Sequence, residues 1–225
     1  MTTGKEIELK YVLASPSDAE KLKSVLGAPL ETIHQENTFF DTDRGGLIAA
    51  RSALRLRIER PEGGEARAVL AFKSSGRIEE ALAVRDEIEC GVDAAAASAA
   101  IASGTVAELL ATGAAREVRQ AAEQAAGDLG EGPLNVVGGF SNVRHVYRPA
   151  RLGGGELLLD MVTYPPAAGG AEVIELEAEA ASEPEVPALR EAVEEMLNVS
   201  GASFSPGTEG KYARLRRLIT QGSAP

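Results

Sequence analysis

Seven stretches of the chain alternate apolar and ionic residues with a period of two, the spacing at which a β-strand sends successive side chains to opposite faces. Glu6-Ile7-Glu8-Leu9-Lys10 sets Glu6, Glu8 and Lys10 on one face and Ile7, Leu9 and Tyr11 on the other. Leu54-Arg55-Leu56-Arg57-Ile58 separates two guanidiniums from three aliphatic residues, and Val69-Leu70-Ala71-Phe72-Lys73 follows after Pro61-Glu62-Gly63-Gly64. Arg85-Asp86-Glu87-Ile88-Glu89 presents Arg85, Glu87 and Glu89 at the same period. Asn142, Arg144, Val146 and Arg148 repeat it, then Leu158 and Asp160, then Glu175 and Glu177 with Ile174 and Leu176 between them. One such strand reads as a solvated sheet face. Seven read as a closed surface lined with charge, and charge on a buried face is costly unless counter-ions neutralise it.

The segments between the strands complete an architecture. The first strand is expected over about Lys5 to Leu13. Ser15-Pro16-Ser17-Asp18 starts a helix to about Leu26, with polar caps, proline in the first turn and a stripe of Ala19, Leu22 and Leu26. A second strand covers about Glu31 to Asp41, and Asp43-Arg44-Gly45-Gly46 turns into a short apolar segment ending near Ala50. Hairpin signals stand at Glu62-Gly63-Gly64, Ser74-Ser75-Gly76 and Gly153-Gly154-Gly155, with another between Pro165 and Gly170. Residues 93–130 are rich in alanine and poor in strand formers, which predicts two or three helices. Glu183-Pro184-Glu185 opens a further helix striped by Val186, Leu189, Val193, Met196 and Leu197, and a terminal helix runs from about Thr208 to Thr220.

Composition narrows the class. At 225 residues with 44% hydrophobic content, the chain suits a single barrel domain. Cys90 is the one cysteine, so no intrachain disulfide forms, and a reducing, cytoplasmic setting is expected. No apolar run approaches the roughly 18 residues of a membrane span, and the first residues lack a signal pattern. Net charge −11, no Trp and 4% aromatic residues argue against nucleic-acid binding, which needs a basic footprint and stacking platforms. A small polyanion remains compatible if basic groups gather with divalent cations in one cavity.

The leading Glu6-x-Glu8-x-Lys10 run resembles the signature of the CYTH family, the triphosphate tunnel metalloenzymes. The likeness continues through Gln35-Glu36-Asn37-Thr38-Phe39-Phe40-Asp41-Thr42, Leu54-Arg55-Leu56-Arg57, Lys73, Arg85-Asp86-Glu87-Ile88-Glu89 and Arg144. It ends with Asp160, Glu175-Leu176-Glu177 and Gly210-Lys211-Tyr212, in the family's order. The resemblance implies an α+β fold: one CYTH domain over 1–225, an eight-stranded antiparallel β-barrel forming a tunnel, with helices outside and a helical insertion at about 93–130. It implies metal ligation of Mg2+ or Mn2+ by Glu6, Glu8, Asp160, Glu175 and Glu177. Lys10, beside them, would position or polarise the attacking water, making Lys10, Glu6 and Glu8 the catalytic group. Arg55, Arg57, Lys73, Arg144 and Lys211 would clamp the substrate, with Arg85 near phosphate. Glu87 and Glu89 would support the wall, or simply balance neighbouring arginines.

The chemistry suits these residue types. Phosphoryl transfer rests on positioning and charge stabilisation. Arginine grips oxygens bidentately, lysine acts as a point charge, and hard cations take carboxylate oxygens. The expected activity is metal-dependent hydrolysis of a linear triphosphate to orthophosphate, with inorganic triphosphate favoured and thiamine triphosphate or a nucleotide as variants. The rivals are an adenylyl cyclase making cyclic AMP and pyrophosphate, and a non-catalytic polyphosphate or nucleotide binder. A monomer or homodimer is expected. Leu158 departs from relatives that carry an acid two positions before the residue matching Asp160. Gly207-Thr208-Glu209-Gly210-Lys211 is too short for a phosphate loop; His34 and His145 lack metal-ligand neighbours; Asp41 reads as a turn former.

Overall fold

The alternating stretches become strands because each offers one face that can be made wholly apolar. The protein is described by a computed structural model covering residues 2–126 and 134–222. In chain order it forms β1 (Thr2–Leu13), α1 (Pro16–Leu26), β2 (Glu31–Asp41), α2 (Gly46–Ala49), β3 (Ala53–Pro61), β4 (Arg67–Lys73), β5 (Arg77–Glu79) and β6 (Leu82–Val92). Then come α3 (Ala94–Ser103), α4 (Ala107–Leu110), α5 (Arg116–Ala126), β7 (Asn135–Tyr147), β8 (Leu157–Thr163) and β9 (Glu172–Glu179). The chain finishes with α6 (Val186–Ser200), β10 (Phe204–Pro206) and α7 (Lys211–Gly222). The strand order is β10-β1-β9-β8-β7-β2-β3-β4-β6-β5, and an added β1–β6 pairing closes eight strands into an antiparallel barrel, leaving β5 and β10 as short appendages.

Residues group into two compact units. The first holds Gln35–Gly76, Arg85–Ser141 and the start of β1; the second holds Glu6–His34, Arg77–Val84 and the chain from Asn142 onward. In the first unit, Leu54, Leu56 and Ile58 of β3 and Leu70 and Phe72 of β4 pack with Ala97 and Ala100 of α3, Leu109 and Leu110 of α4, and Val118 and Ala122 of α5. The alanine-rich stretch is therefore helical and covers the apolar face of β3 and β4. Small side chains let the helix backbones approach the sheet. The end of the expected insertion, 127–130, lies outside the described residues.

In the second unit, Ile7, Leu9, Tyr11 and Leu13 of β1, Leu157 and Leu159 of β8, and Ile174, Leu176 and Ala178 of β9 form one core. Ala19 and Leu22 of α1 and Val186, Val193, Met196 and Leu197 of α6 seal it. Leu9, Leu157 and Leu159 are fully buried, each contributing about 1.5–3 kcal/mol of hydrophobic stabilisation. The opposite faces of these strands carry the ionic residues.

Local details refine the expectations. The α1 start is as read: Ser15 caps it, its side chain accepting from the Asp18 amide. β1 begins at Thr2, earlier than expected, and α7 begins at Lys211, later. The three-residue strands β5 and β10 were not anticipated. β5 pairs with β6 through a two-residue turn at Glu80-Ala81, where both residues have positive φ, 47° and 71°. That conformation is the tight hairpin type normally given to Gly or Asn, so the pattern around Ser74-Ser75-Gly76 misplaced the turn. Asp41 is buried, and its carboxylate accepts from the amides of Thr42, Leu47 and Ile48, which makes it the organiser of the α2 turn. Among the described residues no helix is long and apolar enough to cross a membrane.

Candidate functional site

Register puts acid beside acid in the second unit. Asp160 of β8 stands directly opposite Glu175 of β9, and Glu177 of β9 stands opposite both Leu158 of β8 and Lys10 of β1. Like charges directly opposite destabilise a sheet pair, and Glu8, Asp160, Glu175 and Glu177 are all buried. Such a row survives only with cations among it.

Four cations supply the balance. Lys10 Nζ lies 3.0 Å from Glu8 Oε1 and contacts Glu177 Oε1 at shorter range. Arg144 of β7 forks onto Asp160, with Nε 2.8 Å from Oδ1 and Nη2 2.7 Å from Oδ2, and Nη2 is 3.0 Å from Glu177 Oε2. Lys211, the first residue of α7, places Nζ 2.9 Å from Asp160 Oδ2 and 3.0 Å from Glu175 Oε2, and also contacts Glu177 Oε1. Arg214, one turn further on, grips Glu175 Oε1 through Nη1 and reaches Glu209 Oε1 at 3.1 Å through Nε.

The backbone positions Lys10 closely. Its N–H donates to Ala81 O at 2.8 Å, and its carbonyl accepts from Gly207 N at 2.9 Å. Both groups are thus used on the side away from β9, so Lys10 and Glu177 form a non-hydrogen-bonded cross-strand pair, the type whose side chains lie closest. A Cβ on Gly207 would stand 2.9 Å from Lys10 Cβ. Only glycine permits that approach without displacement.

Asp160, Glu177, Lys10 and Lys211 favour one another's charged forms. Burial works against each charged form, but the neighbours outweigh it. Despite desolvation, Arg144 and Lys211 hold the Asp160 carboxyl at about 2, and Lys10, Lys211 and Arg144 keep Glu177 well below the usual carboxylate range. Desolvation pulls Lys211 down, while Asp160, Glu177 and Glu175 leave it well above the ordinary lysine value. Lys10 is likewise raised, chiefly by Glu177 and Glu8 acting against its burial.

The carboxylates match a hard divalent cation in kind. Glu175 Oε2 is buried and accepts no hydrogen bond, its contact with Lys211 being purely ionic. Yet among the described residues no three acidic, histidine or cysteine groups are arranged to hold a metal ion by themselves. The Lys211 ammonium stands where oxygens of Asp160, Glu175 and Glu177 meet.

The first unit carries its own ionic set. Glu87 Oε1 of β6 is 3.0 Å from Lys73 Nζ of β4 and 3.4 Å from Arg55 Nη2 of β3. Arg57 pairs instead with Glu59, Nε to Oε1 at 2.8 Å. Buried Glu59 also takes Arg67 Nε at 2.5 Å and Gln35 Nε2 at 2.9 Å. Arg85 and Glu89 are half-buried on β6, and Glu89 faces Ala71 in register. In the second unit Glu6 is half-buried two residues before Glu8 on the same face of β1. Leu158, on the face of Asp160, packs with Ile33 and Val146 in a small apolar cluster. His145 pairs with Thr32, Nδ1 to Oγ1 at 3.2 Å.

Sequence reasoning missed Arg214 and Glu59. Arg214 sits in the run Arg214-Leu215-Arg216-Arg217, which reads as a solvated helix face, and only Leu215 marks a buried side there. Glu59 could have been found by extending the period of Arg55 and Arg57 one step.

The chain is similar to known proteins over nearly its whole length. The CYTH domain family model matches residues 4–208. A protein from Hippeastrum, described as a candidate adenylyl cyclase that reveals a dominant triphosphatase activity, is 30% identical, with 94% of this chain and 95% of that one covered and a TM-score of 0.79. A candidate adenylate cyclase from Bacillus halodurans is 26% identical, covering 94% and 98%, with a TM-score of 0.66. A Pyrococcus horikoshii protein at 20% identity, covering 94% and 98%, shares the fold with a TM-score of 0.59. No curated protein sequence matches.

Proposed function

The chain belongs to the CYTH family, and from that premise we propose that it hydrolyses a linear triphosphate with a divalent cation, Mg2+ or Mn2+, releasing orthophosphate. The observation that carries this reading is the buried row Glu8, Asp160, Glu175 and Glu177, interleaved and ion-paired with Lys10, Arg144 and Lys211. A protein gains little stability from burying so many charges; an ionic substrate and its counter-cation give them a use.

In this reading Glu6, Glu8, Asp160, Glu175 and Glu177 hold the cation, which when bound would neutralise phosphate oxygens and acidify water. Lys10, fixed by its backbone and by Glu8 and Glu177, orients the attacking water. Arg144 and Lys211 bind phosphate oxygens as guanidinium fork and point charge. Arg55, Arg57, Lys73 and Arg85 are assigned the same task on the family resemblance, with Glu87 and Glu89 orienting them. Inorganic triphosphate is the favoured substrate, with thiamine triphosphate or a nucleotide as variants. The chain acts as one CYTH domain, and its lone buried cysteine suits a cytoplasmic location.

The Hippeastrum neighbour's description keeps adenylyl cyclase activity as the second reading, and one assay separates the two. The protein is incubated with Mg2+ or Mn2+ and inorganic triphosphate, thiamine triphosphate or ATP. Orthophosphate from a triphosphate supports hydrolysis. Cyclic AMP with pyrophosphate from ATP, and no orthophosphate, overturns it. Binding without turnover leaves a sensor.

A further inference from the structure

Acids surround the Lys211 ammonium. Its Nζ lies in ion-pair contact with one oxygen from each of three carboxylates: Asp160, Glu175 and Glu177. These acids come from the adjacent strands β8 and β9 and are themselves buried. Carboxylate oxygens are also the ligand type that a hard cation takes.

Each acid keeps another anchor. Arg144 forks onto Asp160 and reaches Glu177, Lys10 contacts Glu177, and Arg214 holds the far oxygen of Glu175. The Lys211 backbone is tied separately, its carbonyl accepting from Tyr164 Oη at 3.1 Å. The carboxylates would therefore stay in place if the flexible lysine side chain swung away, with one positive charge fewer among them.

We propose that the Lys211 ammonium is a built-in counter-ion standing at the cation position of this cluster, so that a divalent cation binds by displacing it. Loading and release of Lys211 are then linked: the side chain that neutralises the acids when no cation is bound becomes free for an anionic ligand when one is. That last consequence, Lys211 passing to a substrate phosphate, rests on the triphosphatase reading; the displacement itself does not.

Mn2+ binding tests it directly, followed by the EPR signal of free Mn2+ with no substrate present. Lys211→Met removes the competing charge and should bind Mn2+ at least tenfold more tightly than the wild type, whereas Lys211→Arg, which keeps the charge, should not. Equal or weaker binding by Lys211→Met, or no binding by either protein, overturns the proposal. A measurement on the wild type guards against misfolding of the variant. Lysine acetylation mapped by mass spectrometry should rise several-fold at Lys211 on adding Mg2+ while exposed Lys21 stays constant, and unchanged labelling of Lys211 overturns the displacement. The two readings fail separately. Tighter Mn2+ binding by Lys211→Met without phosphate release by the wild type would remove the triphosphatase and leave the displacement standing. Phosphate release with unaltered Mn2+ affinity would do the reverse.

Discussion

Arg144 holds Asp160 with both arms of its guanidinium, at 2.8 and 2.7 Å, and Asp160 is completely shut off from solvent. The pair joins β7 to β8 on the face that carries the acidic row. Lys211 is the only other cation recorded on this carboxylate among the described residues.

Replacing Arg144 with Met should therefore destabilise the protein by about 3–5 kcal/mol, the usual loss when one partner of a buried ion pair is removed. Lys211 remains on Asp160, which places the expected value toward the lower end. Urea denaturation would measure it. The double variant Arg144→Met, Asp160→Leu should recover much of the loss, because no buried charge is then left behind. A loss below ~1 kcal/mol in the single variant would show that Lys211 alone neutralises Asp160.

Glu177 touches Lys10, Lys211 and Arg144. Making it neutral in Glu177→Gln keeps its size while loosening all three cations. Under the proposed function, kcat for phosphate release should fall by about 10²-fold or more, the scale of losing a preorganised electrostatic group. Glu8→Gln, which loses the ion pair with Lys10, should lower it less. A wild-type rate in Glu177→Gln would remove Glu177 from the working site.

Gly207 approaches Lys10 so closely that an added Cβ would lie 2.9 Å from Lys10 Cβ and 3.2 Å from its carbonyl oxygen. Gly207→Ala should cost about 1–3 kcal/mol through local overpacking and should reduce phosphate release by shifting Lys10. Gly4→Ala, where a Cβ meets nothing within 4 Å, should do neither. Thermal melts and turnover of the two variants side by side decide the point.

Asp18 ties the start of α1 to the chain beyond α6, accepting from Lys21 Nζ at 2.7 Å and from the Ser203 amide at 3.1 Å. Hydrogen bonds from Lys21, Ser15 and Ser203 hold its carboxyl at about 2, below the ordinary 3.8. A depressed carboxyl stabilises the fold above its unfolded value, and that contribution is lost as pH falls through the folded one. Asp18→Ala should thus melt below the wild type at pH 7, and the gap should close between about pH 4 and about pH 2. A gap independent of pH would mean the loss is one of packing.

Period-two alternation made the strands legible, because one apolar face per strand is enough to build the core from Leu9, Leu157 and Leu176. Caps and stripes likewise located α1 and α6. The three-residue β5 escaped notice because its turn uses Glu80 and Ala81 in a conformation their side chains disfavour, leaving no turn signal to read.

What the chain by itself determined is which residues share a strand face: Glu6, Glu8 and Lys10 on β1, Arg55 and Arg57 on β3, Glu175 and Glu177 on β9. Tertiary structure alone decided how those charges pair. It set Asp160 opposite Glu175, divided Arg57 from Lys73 by giving them Glu59 and Glu87 as separate partners, and brought Arg214 from a helix that reads as solvated onto a glutamate 39 residues away. The reason is physical. Alternation is a property of neighbouring residues, whereas Coulomb attraction and desolvation depend on distance and burial in space, which register and packing determine.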